Sequence, residues 1–150
     1  MTENEMTLKI KAVSENESFA RSAVAAFCLP LKPSVSDIND IKTAVSEAVT
    51  NSIVHAYSEK EGYVTIFARL NCDGAVHIEI SDEGSGIENV EKALEPFYTT
   101  KPEQERSGMG FTIMQTFMDL LKVESGREKG TRVIMEKKIS PASEKGAGDA

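Results

Sequence analysis

No apolar run in this 150-residue chain approaches the roughly 18 residues that a membrane-spanning helix needs. Met1 to Met6 is polar and acidic, without the succession of charged, apolar and small residues that marks a secretory signal. Both absences lead us to expect a cytoplasmic protein with no membrane partner. Cysteine is scarce, and Cys28 and Cys72 have neither CxxC spacing nor a nearby histidine pair, which leaves them as reduced, structural thiols. Basic residues are too few to follow a nucleic acid backbone: 17 Lys and Arg against 24 Asp and Glu give a net charge of -7 and a pI near 4.9. An acidic surface of that kind favours basic or neutral protein partners. Internal repeats, an internal linker, a GK[ST] phosphate loop and the dinucleotide pattern GxGxxG are also missing.

What is present suits one domain with a real core, since 40% of the residues are hydrophobic. That domain is expected over residues 1–139, with a frayed tail of Pro, Ser and Gly over 140–150. Thr7 to Val13 alternates apolar and polar residues and predicts a first strand. Ser14-x-x-Glu17 has capping-box spacing and opens a helix over 15–29, closed by Pro30. Ser34-x-x-Asp37 starts a second helix running to about Tyr57, with Ile38, Ile41, Val45, Ala48, Val49, Ser52 and Ile53 on its apolar stripe. Two alternating segments, Tyr63 to Leu70 and Ala75 to Ser81, flank the turn sequence Asn71-Cys72-Asp73-Gly74 and predict a hairpin. A short helix over 88–94 follows. A third helix carries Phe111, Met114, Phe117, Met118 and Leu121, and strands are expected from Val123 and over 131–139.

Four segments combine polar chemistry with defined backbone. Glu47 and Asn51 stand one helical turn apart, so at roughly 100° per residue both side chains reach one bound ion or one hydroxyl. On the helix alone such a pair is most often a solvated face, and His55 one turn further lacks the second histidine or cysteine of a metal site. The hairpin's second strand runs into Asp82-Glu83-Gly84-Ser85-Gly86, where two glycines let a backbone approach a ligand closely; an ordinary glycine-rich turn reads the same way. Phe97 to Gly110 is a long polar loop without periodicity that delivers Gly108 and Gly110 to the start of the third helix, where free N–H groups can hold phosphates. Gly130-Thr131 then enters the last strand.

In this order the segments resemble the N, G1, G2 and G3 boxes of the GHKL ATPase/kinase superfamily, from the first strand to the last and closest to the short bacterial anti-sigma serine kinases. Val45-Ser46-Glu47-Ala48-Val49-Thr50-Asn51, Phe97-Tyr98-Thr99-Thr100-Lys101-Pro102 and Arg106-Ser107-Gly108-Met109-Gly110-Phe111-Thr112-Ile113-Met114 carry it. One departure is Ala56, where glycine is frequent in the family.

The resemblance implies a Bergerat-type two-layer α/β sandwich, with helices on one face of a mixed, mostly antiparallel sheet and ATP or ADP bound between helices and lid. It assigns Asn51 to Mg²⁺ and Glu47 to the role of general base toward a serine hydroxyl of a partner protein, which suits phosphoryl transfer. Asp82 would accept from the adenine amino group with Thr131 in support, and Gly84 and Gly86 would let the chain pass close to the nucleotide. Gly108, Met109 and Gly110 would offer N–H groups to the phosphates, and Arg106 would neutralise the γ-phosphate. Arg21 matches a protein-binding position. The implied partners are a sigma factor, an anti-anti-sigma factor as phosphorylation substrate, and a second copy of the chain in a homodimer. Alternative readings are an anti-sigma kinase of the stress-response type, a nucleotide-gated binding module without kinase activity, or the catalytic domain of a histidine kinase or gyrase-type ATPase. The last is disfavoured because neither His55 nor His77 lies in an N-terminal helical hairpin and 150 residues leave no room for a transducer domain.

Overall fold

Alternation of apolar side chains builds the sheet of this computed structural model, which describes residues 3–56, 61–87, 89–95, 110–126 and 129–139. Strands β1 (Asn4–Lys11), β2 (Tyr63–Leu70), β3 (Ala75–Asp82), β4 (Leu120–Ser125) and β5 (Thr131–Lys138) form one sheet in the order β1-β2-β3-β5-β4. Every described pairing is antiparallel, which narrows the mixed sheet that the resemblance implies. Helices α1 (Glu15–Phe27), α2 (Val35–Asn51) and α4 (Gly110–Phe117) belong to the second layer, and α3 (Val90–Ala93) is a single short turn.

Period-two patterning decides what each face does. Val64, Ile66, Ala68 and Leu70 of β2, Val76, Ile78 and Ile80 of β3, and Val133 and Met135 of β5 are buried in one core with Ala20 and Val24 of α1, Ile41, Val45 and Val49 of α2, and Met114 of α4. Fully burying a side chain such as Ile78 contributes about 1.5–3 kcal/mol. The alternate positions of β3 and β5 include a polar cluster of His77, Glu79, Arg132 and Glu136. There the His77 ring meets Glu136 through Nδ1 and Glu79 through Nε2, both at 2.7 Å, and Arg132 reaches Glu79 at 3.3 Å.

Local departures from the expected elements have physical causes. Pairing with β2 carries β1 back to Asn4, three residues before its alternation is clear, and ends it at Lys11. Ser34 caps α2 as its spacing predicts, accepting from the Asp37 N–H at 3.1 Å. Ser14 does not cap α1 with its side chain: it is already helical, so its carbonyl takes the Glu17 N–H while the Glu17 carboxylate pairs with Arg21 at 3.2 Å. Leu121 belongs to β4 rather than to the third helix. The Asp119 N–H donates to the Glu136 carbonyl and the Asp119 carboxylate accepts from the Lys138 N–H, so sheet pairing ends the helix early. The second helix ends at Asn51 and continues as a π-helical turn, Ser52–Ala56. The expected tail lies outside the described residues.

Candidate functional site

β3 ends on Asp82, which the register places directly opposite Thr131 at the start of β5. The Asp82 carboxylate accepts from the Ser52 hydroxyl at 2.8 Å through Oδ2 and from the Gly84 N–H at 3.0 Å through Oδ1. Burial pushes its carboxyl above the ordinary aspartate range, opposed by the Gly84 N–H, the Ser52 hydroxyl and the Thr131 backbone. A raised carboxyl at a strand end, held by three donors, is a rigid acceptor that a ligand N–H can meet.

Two glycines allow this strand end to close. Gly130 has φ 76°, and a Cβ on it would stand 2.2 Å from the Asp82 carbonyl oxygen, so β5 reaches its place beside Asp82 only without a side chain there. Gly86 has φ 77°, and a Cβ on it would stand 1.8 Å from the Gly126 carbonyl oxygen. The close approach at Gly86 is therefore to the β4–β5 turn. A cleft of about 320 Å³ opens here, lined among others by Asp82, Ser125, Gly126, Gly130 and Thr131.

Ser52 links this end of the sheet to α2. It is 4% exposed and directly follows Asn51, so the bond to Asp82 fixes the end of the helix that carries Glu47 and Asn51. α4 closes the other side. Its first residue, Gly110, is buried, and a Cβ on it would lie 3.2 Å from Glu47 Oε2, 3.3 Å from Asn51 Oδ1 and 3.4 Å from Asn51 Nδ2. The two polar side chains thus converge on a bare Cα at a helix start. The Asn51 amide oxygen in that cradle fits Mg²⁺, which takes few protein oxygens and completes its shell with water and phosphate, and the Glu47 carboxylate beside it fits an acceptor for a hydroxyl proton.

The structure accordingly brings Glu47, Asn51 and Gly110 together, and Asp82, Gly84, Gly86 and Thr131 together, with Ser52 joining the two groups. Arg21 stands apart on α1, paired with Glu17. Arg106, Gly108 and Met109 lie outside the described residues, as does the side chain of His55. Two residues escape the sequence reading. Ser52 was legible only as a hydroxyl inside an apolar stripe. Ser125, at the end of β4, bonds to Ile87, Gly130 and Thr131 and has no local signal beyond the glycine that follows it.

Comparison with known proteins gives the family and the fold. Residues 10–137 match the family described as the histidine kinase-like ATPase domain. The anti-sigma F factor of Clostridium acetobutylicum is 58% identical over 140 residues, covering 93% of this chain and 97% of that protein. Anti-sigma F factors of Caldanaerobacter subterraneus subsp. tengcongensis (59% identity; 91% of this chain, 94% of that protein) and Clostridium beijerinckii (54%; 95% and 100%) are similar to it over comparable lengths. Among solved structures, the histidine kinase domain of the blue-light activated histidine kinase EL346 from Erythrobacter litoralis superposes with a TM-score of 0.54 at 17% identity, covering 82% of this chain and 61% of that one. At that identity the likeness concerns the fold.

Proposed function

The chain belongs to the family of anti-sigma F factors built on the histidine kinase-like ATPase domain, and from that membership we propose that it is an anti-sigma factor and a protein serine kinase. In this reading it binds and inhibits the sporulation sigma factor, sigma F, and uses MgATP to phosphorylate a serine of an anti-anti-sigma factor. The observation that carries the kinase half is the convergence of Glu47 and Asn51 on Gly110 at the start of α4.

Each residue has a separate task. Asp82 accepts from the exocyclic amino group of adenine and holds the base at the strand end, Gly84 lets the chain run close beside it, and Gly86 admits Gly126, which lines the cleft. Gly110, with Gly108 and Met109 before it, offers backbone N–H groups to the phosphates, and Arg106 opposes the γ-phosphate charge. Asn51 would hold Mg²⁺, which when bound supplies charge neutralisation at the phosphates. Glu47 Oε2 accepts the proton of the attacking serine hydroxyl, the one step here that needs a base.

Arg21, half-exposed on α1 beside Glu17, is assigned to the sigma-binding surface, and a homodimer is the proposed assembly. The test is a purified mixture of this chain, sigma F and the anti-anti-sigma partner. Label from [γ-³²P]ATP should appear on a partner serine, and sigma F should be retained more tightly in MgATP than in MgADP. Nucleotide-dependent sigma binding without label on any partner would leave a binding module in place of a kinase.

A further inference from the structure

Ser125 sits where no task above requires it, yet its hydroxyl is used to capacity. Its Oγ lies 2.8 Å from the Gly130 carbonyl oxygen, 2.8 Å from Thr131 Oγ1 and 2.7 Å from the Ile87 N–H. A serine hydroxyl has one proton to give and two lone pairs. The Gly130 carbonyl can only accept, so the single Ser125 proton goes there. The Ile87 N–H can only donate, so it fills one lone pair. The contact with Thr131 then has one solution, in which Thr131 donates its own proton to Ser125.

That assignment fixes the polarity of Thr131. With its proton committed to Ser125, the Thr131 hydroxyl offers only lone pairs to anything else it meets. Thr131 lies beside Asp82 in register, and both line the cleft with Ser125. The Asp82 carboxylate, already receiving Ser52 and Gly84, is likewise an acceptor there. We infer that Ser125 is a positioning residue for base selectivity: by holding Thr131 as an acceptor, it makes the cleft favour an amino-bearing purine over a 6-oxo purine. A water held by Thr131 would give one proton to it and keep the other for an unprotonated ring nitrogen, as adenine presents and hypoxanthine does not. The inference rests on the adenine reading of the site and extends it to a residue that does not itself bind the base.

The experiment compares affinities for ATP and ITP, which differ in the 6-amino or 6-oxo group and the adjacent ring proton, by calorimetry on the full chain. The wild-type chain should prefer ATP. Ser125→Ala frees the Thr131 proton to rotate, and the preference should fall about tenfold. Ser125→Thr keeps a hydroxyl on a strand residue and should restore it. In a Thr131→Val background, Ser125→Ala should leave the ATP/ITP ratio unmoved, because Ser125 acts through Thr131. A merely structural Ser125 would weaken both nucleotides equally, and an unchanged ratio in Ser125→Ala overturns the inference while the adenine site stands. If Ser125→Ala does not fold, Ser125→Cys, with a weak thiol donor of similar size, takes its place: a lowered ATP/ITP ratio that disappears as a difference in the Thr131→Val background supports the same route, and an unchanged ratio overturns it. A wild-type chain that binds ATP and ITP alike overturns the adenine reading and the inference together.

Discussion

The Ser52 hydroxyl donates to Asp82 Oδ2 at 2.8 Å, joining the end of α2 to the end of β3 across thirty residues of sequence. The two halves of the site, one built on a helix and one on a strand, are thereby held in one frame.

Asp82→Asn separates binding from folding. Burial raises the Asp82 carboxyl, so the native state holds its proton more tightly than the unfolded chain does. Its contribution to stability is fully present below the ordinary aspartate range and is lost as pH rises through the raised value. Thermal melts across pH should show that loss in the wild-type chain and its absence in Asp82→Asn, with the variant at least as stable near neutrality. ATP affinity should fall about 10- to 100-fold in the variant, the usual worth of a hydrogen bond to a charged group. Unaltered affinity would remove Asp82 from the base site.

Gly110→Ala and Gly130→Ala should fail in different ways. At Gly110 the new methyl would stand 3.2 Å from Glu47 Oε2 and 3.3 Å from Asn51 Oδ1, side-chain atoms that can shift, in a helix where alanine is the better residue. The fold should persist, with phosphoryl transfer reduced at least about tenfold, since small misplacements at a reacting centre are costly. At Gly130 the methyl would stand 2.2 Å from a backbone oxygen at positive φ, and a loss of about 1–3 kcal/mol or more in urea unfolding is expected.

The two cysteines should react in order. Cys28 is fully buried and its thiol is pushed up to about 12 by that burial, whereas Cys72 is exposed in the hairpin turn. Native protein should therefore yield one thiol to a disulfide reagent at pH 8, and denatured protein two.

Arg21→Ala tests the partner surface. The side chain is 39% exposed and its pair with Glu17 is a surface one, so stability should change by less than about 0.5 kcal/mol. Sigma F binding should weaken while ATP affinity stays the same, a split that surface plasmon resonance and calorimetry would resolve.

Sheet and helices were legible because their signals are periodic and local. Val64, Ile66, Ala68 and Leu70 alternate, and all four are buried on the helix side. Ser34-x-x-Asp37 caps where its spacing says it should. Leu121 was misplaced because its helical spacing continues past Phe117, and only pairing with Met135 on β5, a non-local event, turns it into a strand. The site was legible in its glycines and carboxylates, yet its connections were not. Ser52 acts through a partner 30 residues away, and the hydroxyl of Ser125 is oriented in part by the Ile87 N–H 38 residues away, which no local pattern encodes. Glu47 shows the same limit, since its position on the helix fits a solvated face until Gly110 is placed against it.

Glu47→Ala measures the central claim most directly, because the carboxylate is proposed to act in proton transfer rather than in holding the nucleotide. With MgATP and the anti-anti-sigma partner, the variant should bind ATP within about threefold of wild type and transfer label to the partner serine at least about 100-fold more slowly, the usual contribution of a positioned base. Transfer at the wild-type rate by a variant that binds ATP normally would contradict the assignment and leave the site without its base.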